Sequence, residues 1–407
     1  MKQLIITLGV LGGLLNTYSA PASSLGLNYL GQSIIPTGTQ YGGTTVGGLS
    51  GITYNPANNS FYTISDDRSQ INPARFYTAS IDPTLFNVNG VNNGVTFTGV
   101  TTLLQSNGQP FPALGLDPEG IAVVSGGQVF VSSEGNAQAG NIIDPFVNRF
   151  GVSTGQENAA LPVNPKFSPM FSGTNQTSGV RNNLAFESLT ATPDQQFLFT
   201  ATENAIFQDG PIATLSNGSP ARIIQYGLNG SQEIAEFLYN TEPVALPPNP
   251  ANGFNVSGLV DLLALDNSGQ NFLALERSFS VGAATTGNTG NTVKIFQVSL
   301  AGASNIINNN SLIASGTSGI IPAQKTLLFD LTDLNIPIDN VEGITFGKTL
   351  PNGKRSLILV SDNNFDTTQF TQFLAFEIES VPESSTVLGI VAVGIGSFLV
   401  LKKRKFD

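Results

Sequence analysis

The sequence predicts an all-β protein, a β-propeller of four-stranded blades, and two observations lead to this fold class. A phrase of two short apolar runs around a turn recurs five times, beginning at Ser50, Glu119, Glu187, Asp261 and Glu342. Its copies start 69, 68, 74 and 81 residues apart, and repetition at such a period indicates a repeat architecture. The composition, with 44 Gly and 23 Pro in 407 residues, suits a protein of strands and loops.

Each copy predicts a hairpin, because apolar runs such as QVFV, FLAL and LILV are bounded by turn sequences such as SGG and DNSGQ. A third predicted strand follows each hairpin, at residues 74–82, 145–153, 221–228, 293–300 and 372–379. A fourth follows three of the hairpins, at residues 95–104, 233–240 and 325–331. Four antiparallel strands per repeat make one propeller blade.

The last repeat has no fourth strand of its own. Residues 24–36, SLGLNYLGQSIIP, precede the first repeat and are predicted to supply this strand and close the ring. The count of repeats gives five blades, but the long stretches 137–180 and 241–256 could hide a sixth. The prediction is therefore five or six blades in a domain of residues 23–380.

Both ends of the chain carry export signatures. Residues 1–22 predict a secretory signal peptide, since a basic start, an apolar stretch and an Ala-x-Ala site follow one another. Residues 386–401 form a short apolar run that predicts a transmembrane helix, and the basic residues 402–405 after it are expected to stay in the cytoplasm.

Within residues 381–407, Val381-Pro382-Glu383 stands before this apolar run and the basic end, with Ser384 where a second proline is usual. This order resembles a PEP-CTERM sorting signal of Gram-negative bacteria. The resemblance implies processing by an exosortase and a location at the cell surface or outside, with membrane anchoring by the C-terminal helix until processing. A permanent membrane anchor is the alternative.

The charge and the missing residue types exclude several functions. The chain has 28 Asp and Glu against 17 Lys and Arg, which disfavours nucleic acid and anionic membrane surfaces as partners. It has no Cys and no His, which excludes disulfides, the Ser-His-Asp triad and the usual zinc or copper sites. Chemistry is left to carboxylates, Arg, Lys, Tyr, hydroxyl groups or a metal held by oxygen.

Acids recur at both ends of the repeated phrase, and all five copies close with one. The start of a blade's first strand and the end of its second lie at the same face of a propeller, so these acids are predicted to converge near one mouth of the central channel. The predicted metal ligands are Asp66, Asp67, Glu119, Glu134, Glu203, Asp261, Glu276 and Asp362. Glu187 and Glu342 are the predicted catalytic residues.

A cation is expected among these acids. Crowded carboxylates raise one another's pKa values unless a cation neutralises them, and oxygen ligands without His or Cys favour Ca²⁺. Gly51, Gly120 and Gly343, next to the opening positions, are expected to leave room for a ligand. The alternative for any one acid is that it holds a loop by accepting backbone N–H bonds.

Three arginines lie beside the acids in the sequence, namely Arg68, Arg181 and Arg277. The guanidinium fork suits phosphate and carboxylate groups, so they are predicted to bind substrate. The alternative is that each is the ion-pair partner of a neighbouring acid.

The phrases SGITYNPANNSFYTISDDR, DPEGIAV, NLAFESLTATPDQQFLFTATENA, FLALERSF and VEGITFG resemble the phytase-like family described as having "esterase-like activity of phytase". They occur in the expected order between residues 49 and 379. The resemblance implies hydrolysis of phosphoric esters by a propeller that holds Ca²⁺ in a ring of acids. A lysine-rich phosphate pocket is not evident in the sequence.

Three functions remain open at this point. The first is a Ca²⁺-dependent phosphoric-ester hydrolase that acts on a small phosphorylated substrate. The second is a non-catalytic surface propeller that binds extracellular polysaccharide or another protein and uses Ca²⁺ for structure. The third is a Ca²⁺-dependent hydrolase of carboxylic esters or lactones. A monomer is expected in each case.

Overall fold

The computed structural model describes residues 24–283 and 289–381. Within them the chain forms five four-stranded antiparallel sheets, each of which is one blade. The described chain begins with β1 (Ser24–Ile35), followed by a small hairpin of β2 (Gln40–Tyr41) and β3 (Thr44–Thr45). Blade 1 then contains β4 (Leu49–Asn55), β5 (Ser60–Ser65), β6 (Arg75–Ile81) and β7 (Val95–Thr102).

Blade 2 has an inserted hairpin between its second and third strands. It contains β8 (Pro118–Val124), β9 (Gln128–Ser133), the hairpin of β10 (Asn136–Gln138) and β11 (Asn141–Ile143), then β12 (Phe146–Gly151) and β13 (Glu157–Ala160). A second small hairpin, β14 (Met170–Ser172) and β15 (Asn175–Ser178), leads to blade 3. The stretch 137–180 therefore holds two hairpins and the end of blade 2, so it does not contain the sixth blade that the sequence had left open.

The remaining blades follow the predicted order. Blade 3 contains β16 (Thr190–Ala191), β17 (Phe197–Ala201), β18 (Pro220–Gly227) and β19 (Gln232–Asn240). Blade 4 contains β20 (Asn255–Ala264), β21 (Asn271–Ser280), β22 (Asn291–Ser299) and β23 (Gln324–Asp330). The stretch 241–256 is a connection that ends in β20, so it holds no sixth blade either.

Blade 5 closes the ring as predicted. It contains β24 (Asn340–Thr349), β25 (Arg355–Asp362) and β26 (Thr371–Val381), and β1 pairs with β26 as its outer strand. The described helices are short: α1 (Leu312–Ser315) and the 3₁₀ turns Pro83–Leu85, Pro165–Phe167 and Leu331–Leu334.

The hydrophobic core is divided among the five gaps between neighbouring blades. Phe61 of blade 1 packs in one cluster with Ile358 of blade 5, and Leu273 of blade 4 packs in another with Ile344 of blade 5. Three further clusters join blades 1 and 2, 2 and 3, and 3 and 4. Both faces of a blade are therefore buried, which explains why the second strands read as continuous apolar runs.

The innermost strands β4, β8, β16, β20 and β24 lie side by side around the channel. Glycines allow their close approach. A Cβ on Gly51 would lie 2.5 Å from the carbonyl oxygen of Glu119, and one on Gly120 would lie 2.8 Å from the backbone nitrogen of Leu189. The space at these glycines is filled by the next blade, so the prediction that they make room for a ligand is wrong.

The predicted signal peptide (residues 1–22) and transmembrane segment (386–401) lie outside the described residues, as does all of the predicted sorting signal except Val381. Among the described residues, no helix has the length and apolar character needed to cross a membrane.

Candidate metal centre at the channel mouth

The register of the inner hairpins determines which side chains reach the mouth. In blades 1, 2, 4 and 5 the inner strand has one more residue near its start than the strand it pairs with. This β-bulge lies at the same place in all four blades. In blades 1, 2 and 5 a serine forms the pair next to this bulge, and the residue after the serine is the closing acid, Asp66, Glu134 or Asp362.

Blade 4 departs from this pattern by one residue. Leu259 pairs with Glu276, so Glu276 takes the place of the serine and Arg277 takes the place of the closing acid. The opening position at the bulge is held by Val260, and Asp261 takes the place of the glycines Gly51, Gly120 and Gly343. Blade 4 therefore sends an arginine to the mouth where the other blades send carboxylates.

Five acids form two overlapping groups at the mouth. Asp117, Glu119 and Glu134 make one group, and Glu134, Glu187 and Glu203 make the other. Within each group one carboxylate oxygen of every member lies within 4.8 Å of the others. We call these five residues the acidic cluster. Asp117 precedes β8, outside the repeated phrase, and sequence reasoning missed it although it lies in the DPEG sequence.

Burial makes the ionisation of the cluster unfavourable. Desolvation raises the pKa of Asp117 to about 6 and that of Glu203 to about 7, while the ion-pair partners Arg68 and Arg277 work in the opposite direction. Desolvation and the charges of the other acids raise the pKa values of Glu119, Glu134 and Glu187 well above their ordinary range. A bound cation would reverse these shifts by stabilising the charged forms.

The cluster contains oxygens that lack a hydrogen-bond donor. Glu134 Oε1 accepts the backbone N–H of Ala185, but its buried Oε2 receives no hydrogen bond from the described residues. Buried Glu203 Oε1 receives none either and lies 3.6 Å from Arg277 Nη2. Buried carboxylate oxygens without donors, in an all-oxygen set, fit a hard cation such as Ca²⁺.

Arg277 supplies a positive charge inside the ring of acids. Its Nη2 donates to Glu342 Oε1 at 2.9 Å, and Asn340 Nδ2 donates to the same oxygen at 3.0 Å. Glu342 belongs to neither acidic group, and it is already paired with Arg277 and Asn340. Desolvation raises its pKa, and Arg277 and Asn340 limit that rise.

Arg68 and Arg181, the other predicted substrate-binding arginines, have different surroundings. Arg68 is partly exposed and donates from Nη2 to Asp117. Both residues line a small cavity among the acids, which we call the acidic pocket. Arg181 donates to the carbonyl oxygens of Ala205 and Gly210, and its guanidinium lies 4.8 Å from the centre of the Phe207 ring. Arg181 holds a loop and does not line the acidic pocket.

Two of the predicted ligands form a second wall of the pocket. Asp66 and Asp362 both line it, and the charge of Asp66 adds to desolvation in raising the pKa of Asp362 well above its ordinary range. Desolvation is the first cause, and the pKa of Asp66 is raised to about 8. Gly48 is required here, because its φ of +62° is left-handed and an added Cβ would clash with Asp66 Oδ1.

Three predicted ligands have structural partners instead. Asp67 accepts backbone N–H bonds from residues 70, 71 and 72 and is paired with buried Arg75 at 2.8 Å. Asp261 accepts the N–H groups of Leu262 and Ile344, both at 2.8 Å, and so joins blade 4 to blade 5. For both acids the loop-holding alternative describes the contacts.

Glu276, the third, points away from the acidic cluster. It accepts hydrogen bonds from the Tyr239 hydroxyl at 2.6 Å and from the Glu242 N–H at 2.7 Å, and it is paired with Lys325 at 2.5 Å. These contacts lie on the side of blade 4 that faces blade 3. The repeated phrase had suggested a place in the ring, but the register gives that place to Arg277.

Two connected cavities open at the mouth. The acidic pocket has a volume of about 150 Å³ and is lined by Asp66, Arg68, Asp117, Glu119, Asn183, Glu187, Arg277, Glu342, Asp362 and Asn364. A cleft of about 960 Å³ adjoins it and shares Arg277, Glu342, Asn183 and Asn364 with it. A small ligand group can thus enter the acidic pocket while the rest of the ligand lies in the cleft.

The sequence model of the phytase-like family, described as "Esterase-like activity of phytase", matches residues 44–365. A search of curated proteins finds no match. Similar solved structures include the Dos1 propeller, with 9% identity, a TM-score of 0.33 and coverage of 81% of this chain and 68% of that chain. An endo-arabinase from Bacteroides thetaiotaomicron VPI-5482 has 11% identity, a TM-score of 0.41 and coverage of 86% and 98%. The tail fiber of Staphylococcus aureus phage P68 has 12% identity, a TM-score of 0.37 and coverage of 87% and 52%.

Proposed function

The chain belongs to the phytase-like family of β-propellers, and we propose that it is a Ca²⁺-dependent phosphoric-ester hydrolase that works at the acidic cluster. The observation that carries this proposal is the pair of overlapping acidic groups around Glu134, with a buried oxygen that has no donor and with arginines on two sides. A site of this kind attracts a cation first and then, through the cation and the arginines, an anionic ligand.

The five cluster acids would hold the cation. Ca²⁺ would supply a positive charge that polarises a phosphoryl oxygen. Glu134 belongs to both groups and would be the shared ligand, while Glu187 is better placed as a ligand than as the catalytic residue predicted from sequence. Asp66 and Asp362, on the second wall, would extend the ligand set if more than one cation binds.

Arg68 and Arg277 would orient the phosphate group. Both line the acidic pocket, and each uses part of its fork on an acid, so N–H donors remain for phosphate oxygens. Arg277 Nε is buried and donates to no described residue.

Glu342 is the general base in this proposal. It lines the acidic pocket outside both cluster groups, and Arg277 favours its charged form. In hydrolysis a water adds to phosphorus, the ester P–O bond breaks, Glu342 takes the proton that the water loses, and the leaving oxygen takes a proton from solvent.

The direct test measures turnover of phenyl phosphate, methyl phosphate and a carboxylic ester by the purified protein, with Ca²⁺ and with a chelator. Glu342→Gln and Glu187→Gln are expected to lower kcat by about 10²-fold or more. Asp333→Asn changes an exposed acid outside the site and is the matched control.

The outcome separates the three candidate functions. Phosphate-ester turnover that disappears with chelator, while the circular dichroism spectrum persists, supports the proposal. Turnover of the carboxylic ester alone would identify a carboxylic-ester hydrolase instead. Absence of any turnover, with Ca²⁺ only raising Tm, would leave a monomeric binding propeller for extracellular polysaccharide.

We further propose that the protein is exported and that an exosortase removes its C-terminal segment. The support is the sequence order of residues 1–22 and 381–407. The mature chain is then expected to begin near Ser23 and to end between Val381 and Ser384, which mass spectrometry of protein from its native host can measure. A product that retains residues 402–405 would contradict the processing step and indicate a permanent anchor.

A further inference from the structure

The cleft beside the acidic pocket has walls of an unusual composition. Aromatic side chains Phe254, Phe279 and Phe370 line it together with many amides and hydroxyls, namely Asn182, Asn183, Asn255, Asn291, Asn340, Asn364, Gln369, Thr289 and Thr368. Phe254 is 66% exposed, although it lies beside Phe279 with ring centroids 6.2 Å apart. An exposed aromatic face surrounded by amides is suited to a ring that carries hydroxyl groups, because the flat face packs on the ring while the amides bond the hydroxyls.

The charges around the two cavities restrict the number of phosphates on that ligand. Among the described lining residues, Arg68 and Arg277 are the cations, and both lie at the acidic pocket. The carboxylates of the two linings are Asp66, Asp117, Glu119, Glu187, Glu203, Asp339, Glu342 and Asp362. A phosphate at the acidic pocket has cationic partners, but a second phosphate in the cleft would meet amides, phenyl rings and Asp339.

The boundary between the cavities is formed by four residues that line both, namely Arg277, Glu342, Asn183 and Asn364. A single phosphate that reaches Arg277 from the cleft side would leave its organic part along Phe254 and Phe279. The cleft volume of about 960 Å³ lies at the upper end of the range for small-molecule sites and leaves room for one or two sugar rings.

We propose that the substrate is a carbohydrate with one phosphate, bound with the phosphate in the acidic pocket and the sugar on Phe254 in the cleft. This inference rests on the proposed function for its chemistry, but the sugar contact can be measured without turnover. An inositol that carries phosphate on every carbon is a poor ligand by the same reasoning, because its outer phosphates lack cationic partners in the cleft.

The test is calorimetric titration of the Ca²⁺-loaded protein with glucose 6-phosphate, phenyl phosphate, inorganic phosphate and phytate. We expect glucose 6-phosphate to bind at least tenfold more tightly than inorganic phosphate and more tightly than phytate. Phe254→Ala should remove most of that tenfold advantage in binding. In kinetics, it should lower kcat/KM for glucose 6-phosphate by a similar factor relative to kcat/KM for methyl phosphate. Ile313→Ala, which shortens an equally exposed apolar residue outside the cleft, should leave both quantities unchanged.

The outcomes distinguish this inference from the proposed function. Tighter binding of the sugar phosphate without turnover would refute the hydrolase and retain the carbohydrate site. Turnover of methyl phosphate with equal affinities for glucose 6-phosphate and inorganic phosphate would retain the hydrolase and overturn the carbohydrate site. Tighter binding of phenyl phosphate or of phytate than of glucose 6-phosphate would also overturn it.

Discussion

Replacing Arg277 with methionine removes the one positive charge that blade 4 places in the ring of acids. The methionine keeps an apolar stem of similar length, so the main change is the loss of the guanidinium. Glu342, now 2.9 Å from Arg277 Nη2, and Glu203, at 3.6 Å, would both lose their cationic partner. The Arg277 side chain is 12% exposed, so little solvent is available to replace it.

The size of the effect follows from this burial. Breaking a buried ion pair from one side costs about 3–5 kcal/mol, because a charge stays buried without a partner. For a domain of about 350 residues, an unfolding entropy of about 2 cal/mol/K per residue converts about 4 kcal/mol into a fall in Tm of about 5–6 °C. This estimate applies to the protein without Ca²⁺, where no other cation neutralises the two acids.

The effect depends on pH in a defined direction. Desolvation raises the folded-state pKa of Glu203 to about 7, above its ordinary value of 4.5, and Arg277 limits the rise. A carboxyl group with a raised folded pKa contributes stability that is present at low pH and is lost as the pH rises through that value. Removing Arg277 raises the folded pKa further, so the variant loses more stability at pH 8 than at pH 5, where Glu203 is protonated in both proteins.

The assay is thermal unfolding of wild type and Arg277→Met in chelator at pH 5 and pH 8, followed by circular dichroism. Arg149→Met is the matched control, because Arg149 lies on the outer part of blade 2, where Nε donates to Asn158 and forms no ion pair with any residue that the structure describes. Equal losses of Tm at both pH values, or a loss no larger than that of the control, would refute the reasoning.

Three further outcomes are expected. Millimolar Ca²⁺ should raise Tm, by the equivalent of about 2.7 kcal/mol at 100 times Kd. The rise should be larger at pH 8 than at pH 5, because the raised pKa values leave the acids ionised only at the higher pH. Identical melting curves with Ca²⁺ and with chelator would refute the metal site. Asp261→Asn should cost about 1–3 kcal/mol, because one N–H group loses its acceptor, without changing the activity per folded molecule, as urea unfolding and kinetics can show. Gly258→Ala should weaken the Ca²⁺-dependent rise in Tm, because the new Cβ would lie 2.3 Å from Glu203 Cγ and displace this proposed ligand. Gly227→Ala is the control and should leave the rise unchanged, since its new Cβ would lie 3.5 Å from the nearest atom.

The repeated phrase predicted the propeller well because every blade buries both of its faces against neighbouring blades in the same way. Apolar second strands, polar turns and a fixed period determine the hairpins, and the missing fourth strand of the last repeat pointed to residues 24–36. The outer strand of blade 2 was missed, because Glu157–Ala160 is short and carries no apolar alternation. Its hydrogen bonds to β12, rather than its side chains, make it a strand.

The site was harder to predict, because a shift of one residue in register moves a side chain to the opposite face. In blade 4 the two acids of the repeated phrase are displaced by one residue from the positions that carry acids in the other blades. Asp261 follows the opening position, and Glu276 precedes the closing position. Aligning the copies by their acids therefore gave the wrong residues. Spacing does not decide between the alignments, because Asp261 and Glu276 are 15 residues apart, as Glu119 and Glu134 are. The choice requires the position of the bulge.

The pairing of β1 with β26 joins residues that are far apart in sequence. Gln372 Nε2, for example, donates to Oε1 of Gln32, a residue 340 positions earlier in the chain. During synthesis β1 can bond the connection before β7, where Gln32 bridges Asn87, but its neighbour in the sheet, β26, follows only at residues 371–381, after four blades. Long-range contacts of this kind slow folding and leave strand edges exposed in the meantime. A chain interrupted before β26 would thus keep an open edge on blade 5 and a β1 without its sheet partner, which is the condition in which two copies can exchange strands.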